Sequence, residues 1–288
     1  MPELPEVEII KRSLLKMVNK AKIDSIKIKN KNLRYKISKD FSKDLVGEKI
    51  LKISRRSKYL IFHFKNKLLL AHFGMSGKLF FTKKKNSEIF KTSFYYDLDI
   101  LPNHNHIYFT LSNGLTLIYN DTRRFGFFRI FYNNKLNKIK FLNKLGVEPL
   151  SKKFDKKYFK KLILKRKKNV KNLLMDQGFV SGLGNIYVNE VLFVSKVNPL
   201  RACNNLNEYE LKSIISNIKK ILKYSISKGG ASIKDFINSE GKSGNFQQFF
   251  KVYGKKNKNC SRNSCNGKIE KILISNRSSF YCNKCQTK

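Results

Sequence analysis

The chain is short of acid: 20 Asp and Glu stand against 61 Lys and Arg over 288 residues, a formal charge of +41. A surface so poor in carboxylates disfavours cationic partners and seeks a polyanion, held by phosphate contacts and counterion release. Lys exceeds Arg by fifty to eleven, and Asn and Ile are also frequent. The codon bias of an A/T-rich genome therefore contributes to the size of the charge, though not to its sign. No run reaches the roughly 18 apolar residues of a transmembrane helix. The opening Met1-Pro2-Glu3-Leu4-Pro5-Glu6-Val7-Glu8 is acidic, whereas a secretory signal starts basic and turns apolar. A soluble cytoplasmic protein with no membrane partner is expected. There is no internal repeat. Cysteine is scarce, and four of the five, Cys260, Cys265, Cys282 and Cys285, fall in the last 29 residues. In a reducing compartment such clustering points to metal rather than disulfides.

What is present suffices for two domains, since 41% hydrophobic residues with 23 Phe and 13 Tyr can fill two cores. Pro5 suits the start of a helix, and Val7, Ile10, Leu14 and Met17 recur at helical spacing, so a helix is expected over residues 5–18. Glu6 and Glu8 then complement its dipole. Residues 23–130 change to short runs rich in Ile, Phe, Tyr and Leu, with Asn113-Gly114 marking a tight hairpin, which reads as an antiparallel two-layer β-sandwich. A polar linker begins near Asn133 and ends near Pro149. Helical spacing returns over residues 154–175, 185–195 and 208–228. The tail reverts to a hairpin, residues 269–275 and 278–281, with Asn276-Arg277 at its tip.

Four constellations carry chemistry. Cys260-x4-Cys265-x16-Cys282-x2-Cys285 sets four soft thiolates in two close pairs with a hairpin between, the pattern of a closed tetrahedral zinc site. Arg277 on that hairpin can clamp a phosphate. Gly182-Leu183-Gly184-Asn185-Ile186-Tyr187 lets a helix N-terminus approach a phosphate, with Asn185 as cap. Met75-Ser76-Gly77 and Asp121-Thr122-Arg123-Arg124-Phe125-Gly126 put Met, Arg and Phe on turns, where they can wedge into a duplex and replace an extruded base, or else serve as core. Last, Pro2 permits removal of Met1. The unprotonated secondary amine left behind is a nucleophile toward a sugar carbon, and an α-amino pKa of about 7.7–8.0 leaves a useful neutral fraction. Glu3 and Glu6 lie beside it, and either could move protons. Cys203 stands alone as a small buried hydrophobe.

These motifs, with Arg55-Arg56-Ser57-Lys58-Tyr59-Leu60, Gly74-Met75-Ser76-Gly77, Leu174-Met175-Asp176 and Gly229-Gly230 through Phe236, resemble bacterial formamidopyrimidine-DNA glycosylase in the family's order from residue 2 to 285. The resemblance implies an α+β fold: an N-terminal helix and antiparallel β-sandwich domain, then a helical helix–two-turn–helix domain with a C-terminal zinc-finger hairpin. The division expected is residues 1–133, a linker 134–151, a helical domain 152–250 and the finger 251–288. It implies excision of oxidised purines, 8-oxoguanine and formamidopyrimidines, from damaged double-stranded DNA, then strand cleavage by β- and δ-elimination. By the same resemblance Pro2 is the Schiff-base nucleophile, Glu3 the proton donor to the sugar, Lys58 the donor in β-elimination and Arg277 the residue of δ-elimination. Met75, Arg123 and Phe125 match the residues that fill the void after flipping. His104, Lys167 and Asn185 match backbone contacts, and one structural zinc sits on Cys260, Cys265, Cys282 and Cys285. DNA runs through a cleft between domains, and the enzyme is a nucleoid-associated bacterial monomer.

The sequence departs from the family pattern at four places. The first zinc pair is Cys-x4-Cys where Cys-x2-Cys is usual, and Asn103-His104-Asn105-His106 replaces Lys-His-Asp-His. Thr122 stands where Pro is common, and residues 83–100 read as a divergent loop. Two rivals remain at this point. An endonuclease VIII-like glycosylase uses the same amine on oxidised pyrimidines but usually has Gly at the position of Leu4. A non-catalytic zinc-ribbon binder explains charge and cysteines, though not the acidic Pro-Glu start.

Overall fold

A computed structural model describes residues 2–18, 20–83, 89–91 as backbone, 101–133, 139–164, 166–231 and 246–286. Most of the divergent loop (84–88 and 92–100), residues 134–138 of the expected linker and residues 232–236 of the glycine-led motif lie outside the described residues. The chain divides into two compact units, Met1–Asn143 with Ile226–Gln247, and Lys144–Ser225 with Gln248–Lys288.

In the first unit, α1 (Leu4–Met17) turns Leu4, Val7, Ile10 and Leu14 fully inward. At roughly 1.5–3 kcal/mol per buried aliphatic side chain, these four contacts far outweigh helix propensity in fixing α1. It covers a sandwich of two antiparallel sheets. One has the order β1 (Ile23–Ile28), β7 (Asn105–Leu111), β8 (Leu115–Asn120), β5 (Lys78–Lys83) and β6 (Ile89–Lys91). The other runs β2 (Lys52–Arg56), β3 (Tyr59–His63), β4 (Lys67–His72) and β9 (Phe127–Tyr132). Alternate residues such as Leu79 and Phe81, Ile107, Phe109 and Leu111, and Leu117 and Tyr119 meet Ile53, Leu60, Phe62 and Leu69 in one core, as the two-residue period of strands requires. The second face of β3 and β4 is covered too, by Ile139, Phe141 and Leu142 around α3 (Lys140–Asn143). That is why Leu60, Ile61 and Phe62 are buried in succession. The Asn113-Gly114 turn joins β7 to β8 with Gly114 at φ 79°. A short α2 (Phe41–Leu45) completes the unit.

The second unit is helical. The run expected over residues 154–175 is two helices, α4 (Lys156–Ile163) and α5 (Val170–Met175). Asn169 breaks it: its Oδ1 accepts the Asn172 N–H at 2.8 Å, so the side chain takes the place of a preceding helical turn. α6 (Asn185–Val194) is buried along most of its length, its polar Asn189 and Glu190 included. α7 (Glu208–Ser227) follows. The C-terminal hairpin, β10 (Ile269–Ile274) and β11 (Arg277–Cys282), packs on α6. Its turn residues are Ser275 and Asn276, at φ 47° and 58°. The tip therefore lies one residue earlier than expected, because a two-residue turn of this twist needs two positive φ values; Arg277 opens β11 beside it. Among the described residues no helix is long and apolar enough to cross a membrane.

Candidate active site and metal centre

Pro2 is buried, and Glu3 forms the N-cap of α1. The Glu3 N–H donates to Glu6 Oε2 at 2.8 Å while the Glu3 carboxylate accepts the Glu6 N–H, a reciprocal capping box. The second Glu6 oxygen accepts the Ala231 N–H at 3.0 Å. The two acids near Pro2, equivalent in sequence, are thereby separated. Glu6 is committed to backbone on both oxygens, whereas Glu3, 2% exposed, follows Pro2 directly in the chain. The positive end of the α1 dipole lies at the same place.

Lys58 sits in the two-residue turn of the β2–β3 hairpin, closed by the Arg56–Tyr59 pair, and is 6% exposed. Ser57, the other turn residue, holds a left-handed φ of 57° without being glycine, a strain that tight contacts must hold in place. Arg55 supplies them: its Nη1 donates to the Ser57 carbonyl at 2.9 Å and its Nε to Glu8 Oε2 at 3.0 Å. Glu8 also accepts from Lys11 at 2.7 Å and Arg12 at 3.1 Å. Burial alone would raise the Glu8 pKa, but the bonds from Lys11 and Arg55 outweigh it and hold the carboxyl below its ordinary value. The tip bearing Lys58 is thus tied to α1, the helix that begins just after Pro2. His72, at the end of β4, accepts the Gly74 N–H on Nδ1 at 3.1 Å and stacks on Phe127. Burial, with the nearby Lys58 and Arg34 charges, pushes it down to about 4, so the ring is neutral near pH 7.

Asp121, fully buried, joins the two loops expected to wedge. Its Oδ1 accepts from Ser76 Oγ at 2.5 Å and from the Arg123 N–H at 3.3 Å, and its Oδ2 from Tyr119 Oη and the Gly126 N–H, both at 2.8 Å. The loops approach so closely that a Cβ on Gly74 would overlap the backbone of Phe125 and Gly126, and one on Gly126 would overlap Tyr119 Oη. Met75 and Phe125 project from this clamp, 44% and 42% exposed. The Arg123 guanidinium lies 4.6 Å from the centre of the Phe125 ring. Beside them an open recess of about 670 Å³ is lined by Asn32, Leu33, Arg34, Arg123, Arg124 and Phe125. His104 ends the short turn before β7, and its carbonyl accepts the Asp121 N–H at 3.0 Å.

In the second unit, Asn185 opens α6 and donates from Nδ2 to the Ser278 carbonyl at 2.9 Å, beside Arg277. Lys171, buried on α5, donates to the same carbonyl at 3.0 Å and to Ser279 Oγ at 2.6 Å. Burial, then the Arg277 charge, lowers it to about 8. The Asn189 Oδ1 accepts the Phe280 N–H at 2.7 Å. Asn185, Lys171 and Arg277 therefore converge at the hairpin tip, while Lys167 is exposed in the stretch between α4 and α5. The roles of Asp121, His72 and Lys171 were not legible in sequence. Each depends on a fold that joins distant segments, and no local spacing marks them.

The four cysteine sulfurs lie within 4.8 Å of one another, with Cys260 to Cys285 at 3.8 Å and Cys265 to Cys282 at 3.7 Å. A tetrahedral zinc with bonds of about 2.3 Å needs S···S edges of about 3.8 Å. The thiolate set fits a closed metal site of that size.

A β-sandwich begun by a capped helix, and a helix–two-turn–helix unit ended by a four-cysteine finger, define a class of two-unit, finger-bearing proteins. The formamidopyrimidine-DNA glycosylase N-terminal domain matches residues 1–128 and the formamidopyrimidine-DNA glycosylase H2TH domain residues 145–237. The chain is similar to formamidopyrimidine-DNA glycosylase of Rickettsia felis, 42% identical over 287 residues covering 99% of this chain and 98% of that one. The enzyme of that name from Bartonella tribocorum is 40% identical, covering 99% and 100%. Lactococcus lactis Fpg solved with DNA containing an abasic site superposes with a TM-score of 0.86 at 33% identity, covering 99% of this chain and 100% of that one. The chain belongs to the formamidopyrimidine-DNA glycosylase family.

Proposed function

We propose that this protein is a bifunctional DNA glycosylase and abasic-site lyase of base excision repair that removes oxidised purines from duplex DNA. The observation that carries the reading is the clamp on Asp121. It spends a fully buried carboxylate on holding Met75, Arg123 and Phe125 out in solvent, which core packing does not require and base extrusion does. Fpg structures solved with abasic-site DNA and with FAPY-dG-containing DNA support the substrate class.

In this reading the Pro2 amine, freed by removal of Met1, attacks the sugar carbon that bears the damaged base. The base leaves with the bonding pair, and Glu3 donates the proton that opens the ring to an iminium. Lys58, fixed by Arg55 and Glu8, manages the proton in β-elimination, and Arg277 supports δ-elimination while holding a phosphate. His104, Lys167 and Asn185 contact the backbone. Zinc on Cys260, Cys265, Cys282 and Cys285 supplies structure only. The test is product analysis: zinc-loaded protein with an 8-oxoguanine duplex should release the free base and leave a strand phosphorylated at both ends of a one-nucleotide gap. Intact strand and no free base would leave a non-catalytic DNA binder as the better account.

A further inference from the structure

The widened cysteine knuckle, Cys260-Ser261-Arg262-Asn263-Ser264-Cys265, is not accounted for by the chemistry above. Its Arg262 is half-buried and directed at the C-terminal end of α6. One guanidinium nitrogen, Nη2, donates to the carbonyls of Phe193 and Val194, the latter at 3.1 Å, and the guanidinium carbon lies 4.8 Å from the centre of the Phe193 ring.

This helix end lacks the residue that usually stops a helix. The Lys196 N–H donates to the Phe193 carbonyl and the Val197 N–H to the Leu192 carbonyl, both at 3.0 Å, which is the bonding of a Schellman stop. The left-handed position, however, is held by Lys196 at φ 58° rather than by glycine, at a steric cost. That motif satisfies the carbonyls of Leu192 and Phe193. The last one, of Val194, is taken by Arg262, a cation placed where the helix dipole is negative. From the first half of α6, Asn185 and Asn189 hold Ser278 and Phe280 of the same finger.

We infer that Arg262 is a positioning residue that makes the cysteine knuckle a further clasp between finger and α6, at the helix C-terminus, beside those of Asn185 and Asn189 on β11 and of Glu190 on the backbone of residues 251–253. The thiolates fix the knuckle, Arg262 locks it on the helix C-terminus, and β11 grips the helix N-terminus, so the orientation of Arg277 depends on a contact at the far end of α6. The link to DNA rests on the function proposed above; the clasp itself does not.

The experiment compares wild type, Arg262→Ala and Arg262→Lys as full zinc-loaded chains without DNA. Zinc is counted by native mass spectrometry, and hydrogen exchange is followed at the amides of Val197 and Phe280. Arg262→Ala should keep one zinc, and exchange at both amides should quicken on the order of tenfold, the scale of a lost charge-assisted bond; Lys should recover part of the protection. With damaged duplex the Ala variant should also accumulate strand stopped at β-elimination. Zinc retained with unchanged exchange at Phe280 overturns the inference. So does loss of zinc on substitution, which would make Arg262 a builder of the metal site. If wild type cleaves no DNA, the functional reading fails while the exchange result still decides the clasp.

Discussion

Replacing Asp121 tests how the exposed wedge is built. Asp121→Ala removes the acceptor shared by four donors, of which the Gly126 N–H is buried, while the Arg123 N–H keeps Ser76 Oγ at 3.1 Å and Ser76 lies close enough to solvent to recover water. Stranding a buried donor costs about 1–3 kcal/mol, and the lost Tyr119 Oη bond adds about 0.5–1.5 kcal/mol, so the variant loses about 1.5–4.5 kcal/mol, a large share of a typical 5–15 kcal/mol domain stability. Asp121→Asn keeps one acceptor oxygen. Its amide can face the hydroxyl of Ser76, leaving as the main loss the long 3.3 Å bond from the Arg123 N–H, which keeps Ser76 Oγ at 3.1 Å, about 0.5–1.5 kcal/mol. Urea unfolding of both variants gives the first reading. The second, on folded Asp121→Asn, is the rate of base release from a paired lesion against cleavage of a preformed abasic site: a loosened wedge slows the former more. An Ala variant within about 1 kcal/mol of wild type, or equal slowing on both substrates, would refute the clamp.

Glu3→Gln should abolish base release yet leave stability within about 1 kcal/mol, since the amide oxygen can still cap α1; Glu6→Gln should instead lower the unfolding midpoint, because one of two backbone N–H groups loses its acceptor. Calorimetry with a glycosylase assay separates the two. His72 has a folded pKa of about 4, below its unfolded value of about 6.5. The unfolded chain therefore binds more protons between those limits, and stability falls as pH drops from about 6.5 to 4, by at most about 1.4 kcal/mol per unit. His72→Phe should flatten that slope in urea titrations at stepped pH, and an unchanged slope would count against a buried neutral ring. Removing zinc with a strong chelator, or Cys282→Ser, should release the hairpin from α6, read as loss of amide protection at Phe280 with the β-sandwich still folded.

The sandwich, the terminal helix and the hairpin were legible because each rests on local period: Val7, Ile10 and Leu14 at helical spacing, and alternation such as Leu79 and Phe81 in strands. The break at Asn169 was missed because apolar spacing continues across it from Phe159 and Ile163 to Val170 and Leu173; only the cap geometry shows the stop. The cysteines and loop motifs announced the site, since chemistry there depends on residue type. What supports them did not, because Asp121, Arg55 and Arg262 work through partners far apart in sequence, and a charged residue with a buried bond looks the same on paper as one in water.

The most direct test of the central claim is covalent. Borohydride added to the full-length, zinc-loaded protein with an 8-oxoguanine duplex should reduce the iminium and fix one protein–DNA adduct, with the mass increment mapping to the N-terminal peptide at Pro2. Pro2→Gly should lose that adduct, or most of it, while duplex affinity stays close to wild type. An adduct mapped to a lysine such as Lys58, or no adduct from protein that binds the duplex and carries its zinc, would contradict the account.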